Sequence, residues 1–497
     1  MTRAAASTQY ILLPKFGYSG HFALAGPPIT PVTEGFRLEA AGPPPAGPME
    51  RGDRIGGTGA MLVRLSPDEA RELRGAGSAV KVCPLRRYTL ARAQSPQVRK
   101  AVARTLTAGA STASVTIVDE VTGHPVEAAQ VLVLSGFGQP VESRVTGPSG
   151  RVTLPVLAPD PQGRMPGLSI YPAHTHWGLH AATFPLSNGM KIQLARIDLA
   201  APTVLSPFVA PDNSQRGDGV KVGVIDSGID PNHPDLAVSG GANFTPAETN
   251  PDDWQAGADG HGTHVAGIIG GRGLIGQGMR GVAPGVELFS YRVFPKDKGG
   301  TSTYAIARAI DRAVEDGCDL INLSLGGGQP DLPLSQSIGA AYDQGVRCIV
   351  AAGNNGRRDV SYPAIYKRAI AVSALGRRGT FPAGSTEGLD AMEPFPTNDP
   401  DAFVARFSNI GFEIDVTGPG VGVVSCFPGK RYAVMSGTSM ACPAVTGVTA
   451  AHLSASPSVM NAKKGADRAR KIGELLRKAA RDVGLATNLQ GLGLPHP

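Results

Sequence analysis

Cysteine is scarce in this 497-residue chain. The five present (Cys83, Cys318, Cys348, Cys426, Cys442) are odd in number and form no CxxC pair. That excludes a disulfide-stapled scaffold and fits a reducing compartment. Long apolar runs are also missing: no stretch approaches the ~18 residues a membrane-spanning helix needs. The N-terminal apolar run "YILL" stops at Pro14, too short for the core of a secretory leader. Cytoplasmic residence is therefore the expectation, with export by another route as the alternative. Charge of one sign is not concentrated. The net charge is +6, spread along the chain without interleaved aromatics, so a solvated basic surface is favoured over nucleic-acid binding.

What the chain does have is length, glycine and proline. With 65 Gly, 42 Pro and 41% hydrophobic residues, two or three turn-rich domains are expected. Residues 1–60 are Gly/Pro-rich, and only "QYILLP" reads as a strand. "AMLVRL", "SPDEARELRGAG" and "AVKVCPLRRYTL" read as strand, helix and strand, with Ser66 as N-cap and Pro67 at the first helical position. These place a small α+β domain in 1–100. Residues 96–112 read as a partly helical connector. Alternating segments broken at "VTGHP", "GFGQP" and "GPSG" predict a small β-sandwich-like domain over 112–198. A Pro-punctuated linker follows at 199–219. From there Val/Ile-rich runs alternate with helical patterns ("VKVGVID", "HVAGIIGG", "STYAIARAIDRAVEDG", "CDLINLSL", "VRCIVAAG"). That alternation predicts an α/β domain with a doubly wound parallel sheet, over about 205–485, and leaves 486–497 as a tail.

In such sheets, sites gather at the carboxyl ends of the strands. Asp226 follows "VKVGVI", Asn354 follows "VRCIVAAG", His261 opens "HGTHVAGIIGG", and "SGTSMACPAVTG" (436–447) precedes a helix whose first turn is expected to hold Pro443. Acyl transfer needs a nucleophile, a base, an acid that orients the base, and donors for an oxyanion. Ser439, His261, Asp226 and Asn354 fit those tasks. Within SGTSMACP, Cys442 is a second candidate nucleophile; its other reading is a packed apolar neighbour, where a bulky thiol reagent would crowd Ser439. His261 and His264 are three apart, but no H-E-x-x-H frame or Cys cluster supports a metal. His264 is expected to be structural.

The blocks "VIDSGIDPNHPDL", "HGTHVAGIIGG", "INLSLGGG…VAAGNNG" and "SGTSMACP" resemble the subtilisin-like serine peptidases. They occur in that family's order, with 35 and 178 residues between the key positions (226 to 261 to 439). The resemblance implies a serine endopeptidase with an Asp226–His261–Ser439 triad and Asn354 in the oxyanion hole. It implies an extended substrate strand pairing with Ser324, Leu325 and Gly326, with Ala352 and Gly353 across the primary pocket. It makes residues 1–100 propeptide-like, an intramolecular inhibitor and folding aid. A silent peptide-binding scaffold, an esterase or a peptide ligase with the same residues are the alternatives.

Three features depart from the family pattern. Where relatives carry a calcium-chelating loop, this chain has "GGRGLIGQGMRGVAP", with two arginines and no acid. Asp235 matches a family ligand but lacks partners, so no cofactor or metal is expected, with calcium as the alternative although the usual ligand loop is not matched. Residues 376–403 form an insertion expected near the substrate cleft. Ala444 stands where relatives often carry His. Finally, 461–482 reads as an amphipathic surface helix with Ile472, Leu475, Leu476 and Ala479 on its apolar side.

Overall fold

The computed structural model describes residues 8–14, 55–56, 58–65, 67–74, 80–91 and 111–497, save 174, 210–212, 246–247, 249, 258, 297–298 and 393–396. The connector expected over 96–112 lies almost wholly outside the described residues.

Near the N-terminus, β1 (Thr8–Pro14) sits between β2 (Met61–Leu65) and β3 (Val80–Pro84), antiparallel to both. Helix α1 (Pro67–Glu72) connects them. Alternation along β1 decides its two faces. Leu12 packs with Val63, Leu65, Ala70 and Val82 on the α1 side. Ile11 and Leu13 point the other way and share a cluster with Ala307 of the following α/β domain. The short strand β4 (Arg87–Leu90) then leaves this sheet altogether.

Residues 112–194 form two small sheets around one core. One holds β5 (Thr112–Asp119), β8 (Arg151–Pro155) and β11 (Lys191–Leu194). The other holds β6 (Gln130–Leu134), β7 (Pro140–Val145), β9 (Gly167–Tyr171) and β10 (Leu179–Ala181). Val115 and Ile117 from the first and Val131, Val133, Leu168 and Ile170 from the second meet in a single apolar cluster.

The α/β domain is built on a central sheet. Six of its strands, β12 (Lys221–Asp226), β13 (Val238–Asn243), β14 (Glu287–Arg292), β16 (Leu320–Leu323), β18 (Arg347–Ala351) and β19 (Ala369–Arg377), run parallel in the order β13-β14-β12-β16-β18-β19, and Val416–Pro419 pairs parallel with β19. Between them in sequence lie the two-residue strands β15 (Thr301–Ser302) and β17 (Leu325–Gly326). Helices α2 (His261–Gly270) and α5 (Thr438–Ser454) cover one face, and α3 (Thr303–Glu315) and α4 (Leu332–Asp343) the other. Strand β12 serves both layers. Val222 and Val224 pack with Val265, Ile268 and Met440, whereas Ile225 packs with Ile306 and Ile310. Full burial of each such side chain contributes roughly 1.5–3 kcal/mol. Gly223 permits the close approach of Tyr291, whose ring would lie 2.8 Å from a Cβ there.

Three boundaries differ from the sequence reading. The stretch 199–219 is not a free linker: Val204, Leu205 and Phe208 are buried in the α/β core. The end of the chain is not a tail. Leu494–Pro495 pairs with Ala480–Arg481, Leu489 is buried, and His496 stacks on Phe208. The insertion at 376–403 extends the sheet instead of overhanging the cleft: Ala402–Ala405 pairs antiparallel with β19 and with Ala391–Met392. Its turn faces the 112–194 unit, where the His180 N–H donates to the Gly384 carbonyl at 2.7 Å. The amphipathic helix is present over Ala466–Ala479, with Ile472 and Leu476 buried. No described helix is long and apolar enough to cross a membrane.

Candidate active site

Asp226 ends β12, His261 is the first residue of α2, and Ser439 is the second residue of α5. All three are fully buried. His261 Nδ1 lies 2.8 Å and 3.0 Å from the two carboxylate oxygens of Asp226, and the Ser227 N–H donates to Oδ1 at 2.7 Å. A carboxylate on Nδ1 holds that nitrogen as the N–H tautomer and leaves Nε2 as a lone-pair acceptor. Nε2 is buried and has no hydrogen-bond partner, a costly state for a polar atom with no task.

Ser439 and Ser324 are doubly linked. The Ser439 hydroxyl donates to the Ser324 carbonyl at 3.0 Å, and the Ser324 hydroxyl donates to the Ser439 carbonyl at 2.9 Å. The second bond depends on Pro443. Proline has no N–H to offer the carbonyl four residues earlier, so the Ser439 carbonyl is free to accept elsewhere. Pro443 thus acts in the second turn of α5, not the first.

Asn354 lies beyond β18. Its Oδ1 accepts from both the N–H and the hydroxyl of Thr438, each at 2.9 Å. This fixes the amide with Nδ2 on the opposite side, where it is buried without an acceptor. The Gly353 N–H donates to the Thr438 hydroxyl at 3.1 Å, so Ala352 and Gly353 are tied to the residue preceding Ser439. Gly353 has φ +107, and a Cβ there would strike Ser361 Oγ at 2.3 Å.

The cleft holds part of the chain itself. Strand β4 lies between β15 and β17, antiparallel to both, with Tyr88 opposite Thr301, Thr89 opposite Gly326 and Leu90 opposite Leu325. The next residue, Ala91, donates its N–H to the Ser324 carbonyl at 3.0 Å. Its own carbonyl accepts from the Ser439 N–H at 2.9 Å. Strand addition of this kind takes its affinity from main-chain bonds and its preference from pockets.

Over residues 217–494 the sequence matches the model of the subtilase family, designated Peptidase_S8. The chain belongs to the subtilase family. It is 37% identical to Subtilisin BL and to Subtilisin Savinase, both of Lederbergia lenta, over 298 residues, covering 59% of this chain and 96% of each relative. It is 38% identical to Subtilisin E of Bacillus subtilis over 272 residues, 53% of this chain and 64% of the relative. This subtilase is a subtilisin-like serine endopeptidase, a hydrolase acting on peptides, which replaces the silent-scaffold alternative.

In the subtilase's site Cys442 is no rival nucleophile. It is fully buried, and its Sγ lies 3.2 Å from both Asn322 Oδ1 and the Ile349 carbonyl. Burial pushes its thiol well up, and the thiolate is the reactive form. The expected sensitivity to bulky thiol reagents has no access route. His264 is structural: its Nε2 lies 3.0 Å and 3.1 Å from the Val423 and Ala433 carbonyls. Around Asp235 the geometry does not fit calcium. Oδ2 accepts from the Met279 N–H and the Tyr432 hydroxyl, both at 2.7 Å, where a cation would need oxygen ligands. Neighbouring His233 uses both ring nitrogens, toward the Arg431 carbonyl and the Asp235 N–H.

Sequence reasoning missed the second wall of the cleft, Thr301 and Ser302, and missed Thr303 and Asp331 beneath it. Ser302 and Asp331 did carry a local signal as helix N-caps: their side chains accept from the Ala305 and Leu334 N–H groups, each at 3.3 Å.

Proposed function

We propose that this subtilase hydrolyses peptide bonds through an acyl-enzyme on Ser439, with Asp226, His261 and Asn354 in the roles their geometry favours. The Ser439 hydroxyl turns from the Ser324 carbonyl toward His261 Nε2, gives up its proton there and attacks the carbonyl carbon held in the cleft. Asp226 keeps Nδ1 protonated and stabilises the imidazolium. The oxyanion forms against the Ser439 N–H and the unsatisfied Nδ2 of Asn354, a donor matched to charge that develops only during reaction. His261 then protonates the leaving amine. Water, activated by the same base, releases the acid.

The observation that carries this reading is the Ala91 carbonyl on the Ser439 N–H. It supports the reading because the N–H proposed as an oxyanion donor already receives a peptide carbonyl, and the residues preceding that carbonyl pair as an extended substrate would. On this reading the N-terminal region is an intramolecular inhibitor, and the bond it presents is Ala91–Arg92. The packing of Ile11 and Leu13 against Ala307 supports a folding role for the same region. A parallel sheet of non-local contacts is slow to form, and a docked surface on α3 stabilises it early. No metal or cofactor takes part in this reading.

Labelling with a fluorophosphonate tests the assignment. Wild type should acquire one label on Ser439, faster once the cleft is vacated, and Ser439→Ala should acquire none. A label that persists in Ser439→Ala would remove Ser439 from the role of nucleophile.

A further inference from the structure

Tyr88 is the most deeply held residue of the strand in the cleft. It is 1% exposed, and its phenolic hydroxyl donates to Asp331 Oδ2 at 2.7 Å. Asp331 is itself buried, at 3% exposed. The same Oδ2 accepts from the Thr303 hydroxyl at 2.5 Å, and Oδ1 accepts from the Leu334 N–H. The Tyr366 hydroxyl fixes the Asp331 backbone, lying 2.8 Å from its N–H and 2.6 Å from its carbonyl.

The walls of the pocket are shaped for the ring and its backbone. A Cβ on Gly327 would lie 3.1 Å and 3.2 Å from Cδ1 and Cε1 of Tyr88. A Cβ on Gly300 would lie 2.8 Å from the Tyr88 carbonyl oxygen. Tyr88 belongs to the same buried apolar cluster as Ile306, Leu325 and Leu334. An apolar slot of this kind would accept any large side chain. A carboxyl group at its floor is different. Burial pushes the Asp331 carboxyl up, and the Thr303 and Tyr88 hydroxyls pull it down. Without a hydroxyl from the occupant, the acid loses one of its donors inside the protein, and an unsatisfied buried polar group is costly.

We propose that Asp331 is a specificity-determining residue that selects tyrosine at the fourth position before the scissile bond, counting Ala91 as the first. The preferred substrates are extended peptides with a phenolic hydroxyl at that position. Phenylalanine fills the slot but leaves Asp331 short of a donor. A site built to hydrogen-bond a substrate hydroxyl discriminates strongly against the analogue that lacks it. A preference of about 10–100-fold in kcat/KM is expected, as for one buried hydrogen bond to a carboxyl group left unmade. This inference rests on the proposed reading of the cleft, because it takes β4 as the model of a bound substrate.

The test uses the full chain and quenched fluorescent peptides spanning residues 86–95, with tyrosine, phenylalanine or O-methyltyrosine at the position of Tyr88. Active sites are counted by fluorophosphonate labelling in each preparation. Wild type should cleave the tyrosine peptide about 10–100-fold more efficiently than the phenylalanine peptide, and should disfavour the O-methyl peptide at least as much. Asp331→Leu should bring the tyrosine-to-phenylalanine ratio close to one. Asp331 also caps α4, so Asp331→Asn, which keeps an N-cap, and Thr303→Val, which leaves the cap untouched, are measured beside it. Asn should retain part of the preference. Equal cleavage of tyrosine and phenylalanine peptides by labelled wild type overturns the inference and leaves the catalytic reading standing. So does a ratio that survives in Asp331→Leu. A chain that neither labels nor cleaves any peptide defeats the catalytic reading, and the inference falls with it.

Discussion

The Ser439 N–H donates to the carbonyl oxygen of Ala91 at 2.9 Å, joining the second residue of α5 to the residue that follows β4. One hydrogen bond thus connects the N-terminal region to the site it is proposed to inhibit. Its donor is an N–H at a helix N-terminus, where the aligned peptide dipoles favour negative charge. Among the described residues the Ala91 carbonyl accepts from the Ser439 N–H, and the Asn354 amide nitrogen is buried without an acceptor.

Replacing Asn354 separates ground-state binding from catalysis. Asn354→Leu should lower kcat by about 10²–10³-fold with little change in KM, since in the proposed mechanism Nδ2 gains its acceptor only when the oxyanion forms. Steady-state kinetics with the tyrosine peptide measures this. A rise in KM at constant kcat would instead make Asn354 a binding residue.

The cysteines should be silent. All five are buried, and burial pushes Cys318 and Cys348 up to about 12. An aromatic disulfide reagent should find no fast-reacting thiol in the native protein, and five in denaturant. Turnover should be unchanged after the exposure. Rapid modification of Cys442 with loss of activity would mean that the region around Asn322 opens readily.

Contact between the 112–194 unit and the insertion should depend on pH. Burial, with the nearby Glu387 charge, pushes Asp390 up to about 7, and Arg406 opposes this. Glu387 is also raised by burial. A carboxyl raised in the folded state favours folding when protonated. Its contribution is complete below the ordinary carboxylate range and is lost as pH rises through about 7. The melting temperature should therefore fall between pH 5 and 8, and Asp390→Asn should flatten that slope. Identical slopes in the two proteins would contradict the assignment.

Much of this was readable from local sequence. The DSG, HGTH, AAGN and GTSMACP blocks each place one polar residue at the end of one element, and a parallel α/β domain brings such ends together. Asp226 and His261 meet within hydrogen-bonding distance for that reason. The contact of Ala91 with Ser439 was not legible. It joins residues far apart in the chain through main-chain atoms, which every residue possesses, so no side-chain pattern marks it. Asp331 was readable only as an N-cap, because its second partner, Tyr88, comes from a distant strand. The insertion was misplaced for a similar reason. Its turn packs on the 112–194 unit, with Thr386 against Gly178, and a loop-like composition says nothing about which surface a loop meets.

The most direct measurement maps where the purified chain cuts itself. Wild type and Ser439→Ala are incubated in parallel, and their fragments are identified by intact mass and N-terminal sequencing. Wild type should yield one fragment ending at Ala91 and another beginning at Arg92, while Ser439→Ala stays whole. Cleavage at Ala91–Arg92 in Ser439→Ala, or first cleavage of wild type at a different bond, would contradict the account.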